Sequence, residues 1–284
     1  DASAFAKGVI TKTSTLHICY CHTPTRYLWS DTHQYINELK YNKYFKKIIA
    51  LSLNKIRVWD RLAADRVDSF VANSEFIVKR IKKYYHRDSK IIYPPVNVNQ
   101  FKIAEEIGDY FLVGGRLAPY KRVDLVVEAF NNLRFNQSKN LKLKIFGDGI
   151  DLKRLKEMAK NNNSIEFLGR ITDEEMADFY SKCLAFINPQ EEDFGITAVE
   201  AMAAGRPVIA YRSGGACETV LEGVTGEFFN KQNVSEIEEI IKNFDAKKYD
   251  PRIVRARALT FSTDRFKKEI GEFIKQEYEN WNRH

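Results

Sequence analysis

The 284 residues carry a formal net charge of +7 with 44% hydrophobic and 13% aromatic side chains, enough apolar material for two ordinary cores. No run approaches the roughly eighteen uninterrupted apolar residues of a membrane span, and the opening DASAFAKGVI is not a signal peptide. Cys19, Cys21, Cys183 and Cys217 fall in no metal-binding spacing and are expected as reduced, buried thiols, which excludes a disulfide scaffold and places the protein in the cytoplasm.

The charge is uneven. Residues 1–100 hold 17 Lys and Arg against 8 Asp and Glu, a balance of +9, so the rest of the chain is slightly acidic at −2. A basic first third suits an anionic partner, either lipid headgroups or nucleic acid.

In chain order, the pattern predicts a strand over 16–21, a long basic helix over 41–64, a strand over 67–72, a helix over 74–85 and a strand over 90–93. This is βαβαβ without a proper start, so two or more strands are expected upstream of Asp1. In the helix over 41–64, Lys43, Lys46, Lys47, Lys55, Arg57 and Arg61 alternate with Tyr44, Phe45, Ile48, Ile49, Ile56 and Trp59. A core helix with a solvated basic face explains that pattern; so does an interfacial helix on an anionic bilayer, which would make the protein peripheral on the inner face of the cell membrane. Pro94-Pro95 stiffens a crossing, and a domain boundary is expected near residue 98.

From about residue 110, apolar runs alternate with amphipathic stretches, the mark of a parallel sheet with helices on both faces. Strands are predicted over 110–114, 141–146, 165–168, 184–188, 207–211 and 227–229. The helices expected between and after them span 123–133, 150–160, 173–181, 196–204, 216–221 and 235–243. The expected organisation is a partial first domain over 1–98, a complete doubly wound α/β domain over 99–261, and a terminal helix over 262–284. Phe266, Ile270, Phe273 and Ile274 give that last helix an apolar face, for its own domain or the first one.

Two motifs carry chemistry. In EEDFGITAVEAMAAGRPVIA, Glu192 and Glu200 are separated by seven residues, and Glu200 sits in a helix that is apolar nearly all round. A carboxylate there needs a partner, which the vicinal hydroxyls of a ribose would supply, reached back toward the loop that precedes the helix. The amides of Phe194, Gly195 and Ile196 open this helix as an anion site. An ordinary capped helix with an internal salt bridge would also account for the two glutamates. In FLVGGRLAPYKRVDLVVEAF, Arg116 follows a strand and Lys121 stands at a helix start, where a cation opposes the macrodipole unless an anion lies nearby. Arg116 and Lys121 therefore form a candidate diphosphate clamp, with a solvated basic loop as the alternative. The Gly147-Asp148-Gly149 and Ser213-Gly214-Gly215 turns also follow strands, so all four segments should gather at the carboxyl edge of one sheet.

This order of motifs resembles glycosyltransferase family 4, whose members carry G-R-x4-K and E-x7-E; here the matching residues are Gly115, Arg116, Lys121, Glu192 and Glu200. The resemblance extends to ANSEFIVKRI at 72–81, YPPVNVNQF at 93–101 and FLGRITDEE at 167–175. It implies a GT-B fold of two Rossmann-like domains, with the first incomplete here. It also implies that Arg116 and Lys121 hold the pyrophosphate, Glu192 the donor hexose and Glu200 the ribose, with Arg170 and Ile171 beside the base. CYCHTPTRYLW is similar to a segment of bacterial O-antigen and lipopolysaccharide mannosyltransferases, which implies that His22 lies close to the donor sugar.

The implied function is transfer, with retention, of a hexose, with mannose from GDP-mannose favoured, to a saccharide or lipid-linked saccharide in cell-surface polysaccharide synthesis. No D-x-D occurs, so neither a metal nor another cofactor is expected. A sugar-nucleotide epimerase or hydrolase of similar build is the enzymatic alternative. A basic nucleic-acid-binding module is the non-enzymatic one, against which stands the lack of an aromatic-rich sheet face or a basic recognition motif; no nucleic acid partner is expected.

Overall fold

The computed structural model describes residues 1–2, 4–39, 41–133 and 141–283. They divide into two compact units, residues 1–94 with 266–284, and residues 95–265.

The first unit contains β1 (Ile18–Cys21), α1 (Arg26–Trp29), α2 (Thr32–Glu38), α3 (Lys43–Ala64), β2 (Ser69–Ala72), α4 (Glu75–Tyr85) and β3 (Lys90–Ile91). The three strands are parallel in the order β1-β2-β3. Ala2 pairs with the other edge of β1, donating to the Tyr20 carbonyl at 2.8 Å and accepting from the His22 N–H at 2.9 Å. Cys19, Cys21, Phe70, Ile77, Ile81 and Tyr85 form the core. The helices α1 and α2 have no counterpart in the sequence reading, because four and seven residues are too few for a helical period to register. The long helix starts at Lys43 rather than Tyr41 because the Asn42 side chain accepts the Phe45 N–H and fixes the cap there. β3 stops at Ile91, short of the predicted Tyr93, as the chain approaches Pro94-Pro95.

The second unit runs β4 (Tyr110–Gly114), α5 (Val123–Leu133), β5 (Lys142–Phe146), α6 (Leu152–Ala159), β6 (Ile165–Gly169), α7 (Asp173–Lys182), β7 (Phe186–Asn188), α8 (Ile196–Ala203), β8 (Val208–Tyr211), α9 (Ala216–Thr219), β9 (Gly226–Phe229), α10 (Val234–Asn243) and α11 (Pro251–Leu259). Its six strands are all parallel, in the order β6-β5-β4-β7-β8-β9. The chain thus winds outward one way from β4 and then the other way from β7, so β4 and β7 flank the topological switch point. Strands buried on both faces, such as β4 and β7, read as near-continuous apolar runs, which is why their sequence signal was strong. The helix α11 was not predicted; Pro251 at its first position and the Asp250 carboxylate, which accepts from the Arg252 N–H, begin it.

The chain closes with α12 (Thr263–Trp281), whose residues from Phe266 onward group with the first unit. There the Phe266 ring meets the Tyr20 ring edge-on at 5.7 Å, and Ser69 donates a hydrogen bond to Glu277. One cysteine departs from expectation: Cys19, Cys21 and Cys183 are buried, but Cys217 is exposed.

Candidate functional site

The site lies where the sheet order of the second unit reverses. The loop after β4 and the loop after β7 emerge side by side, and their charged residues meet: the Lys121 ammonium forms an ion pair with the Glu192 carboxylate, each side chain 18% exposed. Lys121 does not start the helix as predicted. It ends a 3-10 turn over Pro119–Lys121, Arg122 follows in the left-handed region (φ 53°), and α5 begins at Val123. The turn swings the ammonium across the switch point. Arg116, on the same loop, is exposed and makes no hydrogen bond or ion pair with any described residue.

Glu192 is reached by an extended chain leaving β7. Residues two apart on such a chain share a face, so Asn188, Gln190 and Glu192 line up. The Gln190 amide donates to Asn188 Oδ1 at 2.8 Å and to Glu192 Oε1 at 2.9 Å, holding the carboxylate against Lys121. Gln190 was missed in the sequence; the alternation N-x-Q-x-E directly after a strand was the signal available.

Close backbone approach locks these loops together. A Cβ on Gly147 would lie 1.8 Å from the Gly115 carbonyl oxygen, and one on Gly214 would lie 2.2 Å from that of Glu192, so both positions require glycine. The Gly215 N–H donates to the Glu192 carbonyl at 2.8 Å. The four segments predicted to gather at one carboxyl edge do so.

Beyond Glu192, Gly195 adopts φ 88° and α8 follows, and Gly195 itself brings no side chain to cap it. The helix therefore presents N–H groups that no preceding turn accepts. Phe194 is buried, its ring packed edge-on against Phe261 at 5.5 Å, and Ile196 is exposed. Glu200, in the second turn of α8, meets the fully buried Tyr180 hydroxyl of α7 at 3.4 Å rather than the loop before the helix. Burial pushes the Glu200 carboxyl up to about 7; the Tyr180 hydrogen bond opposes this, and the charge of Asp173 adds to it. Arg170 pairs with Asp148 at 3.2 Å but is 84% exposed, and Ile171, next to it, is half-buried. Among the described residues, no group of three or more His, Cys, Asp or Glu side chains is arranged to hold a metal ion.

His22 belongs to the first unit, directly after β1. Its Nε2 lies 2.6 Å from an Asp1 carboxylate oxygen, and its ring packs edge-on against Tyr20 at 5.2 Å. The loop it opens is anchored by a residue the sequence reading passed over. Asp60, fully buried in α3, accepts four hydrogen bonds: from Lys7 Nζ at 2.6 Å, Thr25 Oγ1 at 3.0 Å, Trp29 Nε1 at 2.8 Å and the Tyr85 hydroxyl at 2.8 Å. Its spacing from Leu53 and Ala63 puts it on the buried arc of the helix, and that spacing was the signal available in the sequence. A cleft of about 550 Å³ in this unit, lined in part by Ile18, Tyr20, Ile270 and Ile274, contains none of the predicted site residues.

Residues 98–256 match the family model described as glycosyl transferases group 1. The chain belongs to this family. It is 33% identical over 192 residues to an uncharacterized glycosyltransferase of Methanocaldococcus jannaschii, a match covering 66% of this chain and 52% of that protein. It is 27% identical over 261 residues to an alpha-1,3/1,6-mannosyltransferase of Dictyostelium discoideum, covering 77% and 59%. The chain thus spans about half the length of the curated relatives it matches. Among solved structures, the Anabaena HepE protein in complex with UDP superimposes with a TM-score of 0.71 at 18% identity, covering 92% of this chain and 79% of that one. A likeness at that identity is one of fold, and it agrees with the two-domain, parallel-sheet architecture of GT-B glycosyltransferases.

Proposed function

We propose that this group 1 glycosyltransferase moves a hexose, with mannose from GDP-mannose favoured, to a saccharide or lipid-linked saccharide acceptor in cell-surface polysaccharide synthesis, with retention at the anomeric carbon and without a metal. The observation that carries the reading is the Lys121–Glu192 pair at the β4/β7 switch point, beside the opening turn of α8. A nucleoside diphosphate laid there would set its pyrophosphate between Arg116, Lys121 and the α8 amides, and draw Lys121 from Glu192. The freed carboxylate would accept hydrogen bonds from hexose hydroxyls. Glu200, one turn into the helix, would accept them from the ribose, and Arg170 and Ile171 would flank the base. The choice of mannose is supported by the mannosyltransferases among the relatives, one of them, from Mycolicibacterium smegmatis, named as GDP-mannose-dependent and 35% identical over 155 residues.

In the transfer, the bond between the anomeric carbon and the diphosphate oxygen breaks and the acceptor hydroxyl oxygen bonds to that carbon on the same face. The hydroxyl proton passes to the departing diphosphate. Negative charge grows on that diphosphate, so cations and helix amides already aimed at it stabilise the transition state more than the ground state. His22 would approach the donor sugar from the first unit, whose basic surface would meet a lipid-linked acceptor at an anionic membrane. Thermal-shift titration with GDP-mannose, UDP-glucose, UDP-N-acetylglucosamine and the bare nucleotides tests the donor. Product analysis with a glycan acceptor separates a glycoside, the expected outcome, from the free sugar or isomerised donor that a hydrolase or epimerase would release.

A further inference from the structure

The apolar residues of α3 do not all turn inward. Leu53, Asp60, Ala63 and Ala64 are buried, and Ile49 and Ile56 are half-buried beside them. Tyr44, Ile48, Leu51, Val58 and Leu62 lie on the opposite side, each between 57% and 71% exposed. Their spacing of three, four or seven residues places them in a single stripe along a helix of 22 residues, about 33 Å long at 1.5 Å per residue. Five large apolar side chains in one exposed row are not the scattered surface residues every protein carries.

Charge identifies what covers the row. Between Tyr41 and Trp59 the sequence has five Lys or Arg and no Asp or Glu. Arg57 turns inward, its Nε donating to the Leu28 carbonyl at 2.7 Å, and Lys46 Nζ donates to the Asn37 carbonyl at 2.8 Å. Lys47 and Lys55 make no hydrogen bond or ion pair with any described residue; Lys55 interrupts the stripe and Lys47 borders it. A second copy of this face would set like charges against each other, whereas an anionic bilayer offers acyl chains to the stripe and phosphates to the lysines. No helix among the described residues is long and apolar enough to cross a membrane.

We propose that α3 lies in the plane of an anionic phospholipid surface, with Tyr44, Ile48, Leu51, Val58 and Leu62 inserted below the headgroups and Lys47 and Lys55 among the phosphates. The inference deepens the proposed membrane encounter with a lipid-linked acceptor, but its test uses neither donor nor acceptor. The 284-residue chain is sedimented with phosphatidylcholine vesicles that contain or lack phosphatidylglycerol, at low and high salt, beside two variants. The parent should pellet with the anionic vesicles and not with the neutral ones. At about fivefold per basic residue, Lys47→Glu with Lys55→Glu should weaken binding by more than about 25-fold. Ile48→Asp with Leu51→Asp should abolish pelleting with the anionic vesicles at low salt, and high salt should release the parent from them, since charge attraction is screened there. Both variants should melt like the parent and bind nucleotide diphosphate as the parent does, so loss of lipid binding with nucleotide binding intact is read separately from any failure of the donor site. The proposal is overturned if the parent ignores anionic vesicles at low salt. It is equally overturned if the aspartates leave binding unchanged, or if the parent is a dimer in lipid-free solution that they dissociate.

Discussion

The two units handle buried charge in opposite ways. In the first, the Asp60 carboxylate is fully buried and its four donors occupy both oxygens, so it has no capacity left for a ligand. In the second, Arg116 has no partner among the described residues, Lys121 and Glu192 share a partly buried pair at the carboxyl edge of the sheet, and Glu200 is held by one long hydrogen bond. A saturated cluster fixes a fold. An under-satisfied one marks where a ligand completes the bonding, and only the second unit has its charges at a topological switch point.

Asp60→Ala is the severest way to break this contrast. It leaves the Lys7 ammonium, whose side chain is 2% exposed, without its counter-charge and frees Thr25, Trp29 and Tyr85 from their common acceptor. Removing one partner of a buried pair costs about 3 to 5 kcal/mol, so urea unfolding of the first unit should shift by that much. A change below about 1 kcal/mol would mean that the cluster is not what holds the loop after His22.

Substitutions of the glutamates of the second unit should behave differently, lowering affinity without destabilising the fold. Glu200→Gln is expected to weaken bare nucleotide diphosphate by roughly tenfold to a hundredfold, the loss of charge-assisted hydrogen bonds to a ribose. Glu192→Gln should spare the bare nucleotide and weaken the sugar nucleotide. Calorimetric titration of both ligands into both variants decides this, and equal losses throughout would separate the carboxylates from ribose and hexose.

A smaller effect follows from pH. The Glu200 carboxyl is raised to about 7 by burial, so near neutrality it is partly protonated, and the form that accepts from a ribose increases as pH rises. Nucleotide affinity should climb between pH 6 and pH 8 in the parent and stay flat in Glu200→Gln. Stability runs the other way. A carboxyl whose folded value lies above its unfolded one stabilises the fold at acid pH, and that contribution is lost as pH rises through about 7. The melting temperature of Glu200→Gln should therefore gain on the parent from pH 5 to pH 8. Parallel profiles for the two proteins would remove Glu200 as the titrating group.

How much of this could be read in advance varied with the length and burial of each element. Strands β4 and β7 and helices α5 and α8 were legible because buried apolar runs between glycines have few other readings. The strand order was not, since apolar runs carry no label for their neighbours, and the pairing of Lys121 with a glutamate 71 residues away depends on that order. The Glu200–Tyr180 contact was hidden for the same reason. Of the apolar residues named in the sequence for this helix, Tyr44, Phe45 and Ile48 are exposed, Trp59 is partly covered by Phe5 at 5.6 Å, and Ile49 and Ile56 turn inward, while Leu51, Val58 and Leu62, which were not named, face out. Counting residues along the helix shows that it is amphipathic; it does not show which arc the neighbouring elements cover.

The central claim is that the edge where β4 and β7 diverge binds a nucleoside diphosphate. Isothermal titration of GDP and UDP into the parent chain and into the variant carrying both Arg116→Ala and Lys121→Ala tests it most directly. The account predicts that the parent binds at least one of the two. The double variant should lose roughly a hundredfold or more in affinity, two charge-assisted contacts at about 1.5 to 3 kcal/mol each, while its melting temperature stays close to the parent's. A double variant that binds as tightly as the parent would contradict it.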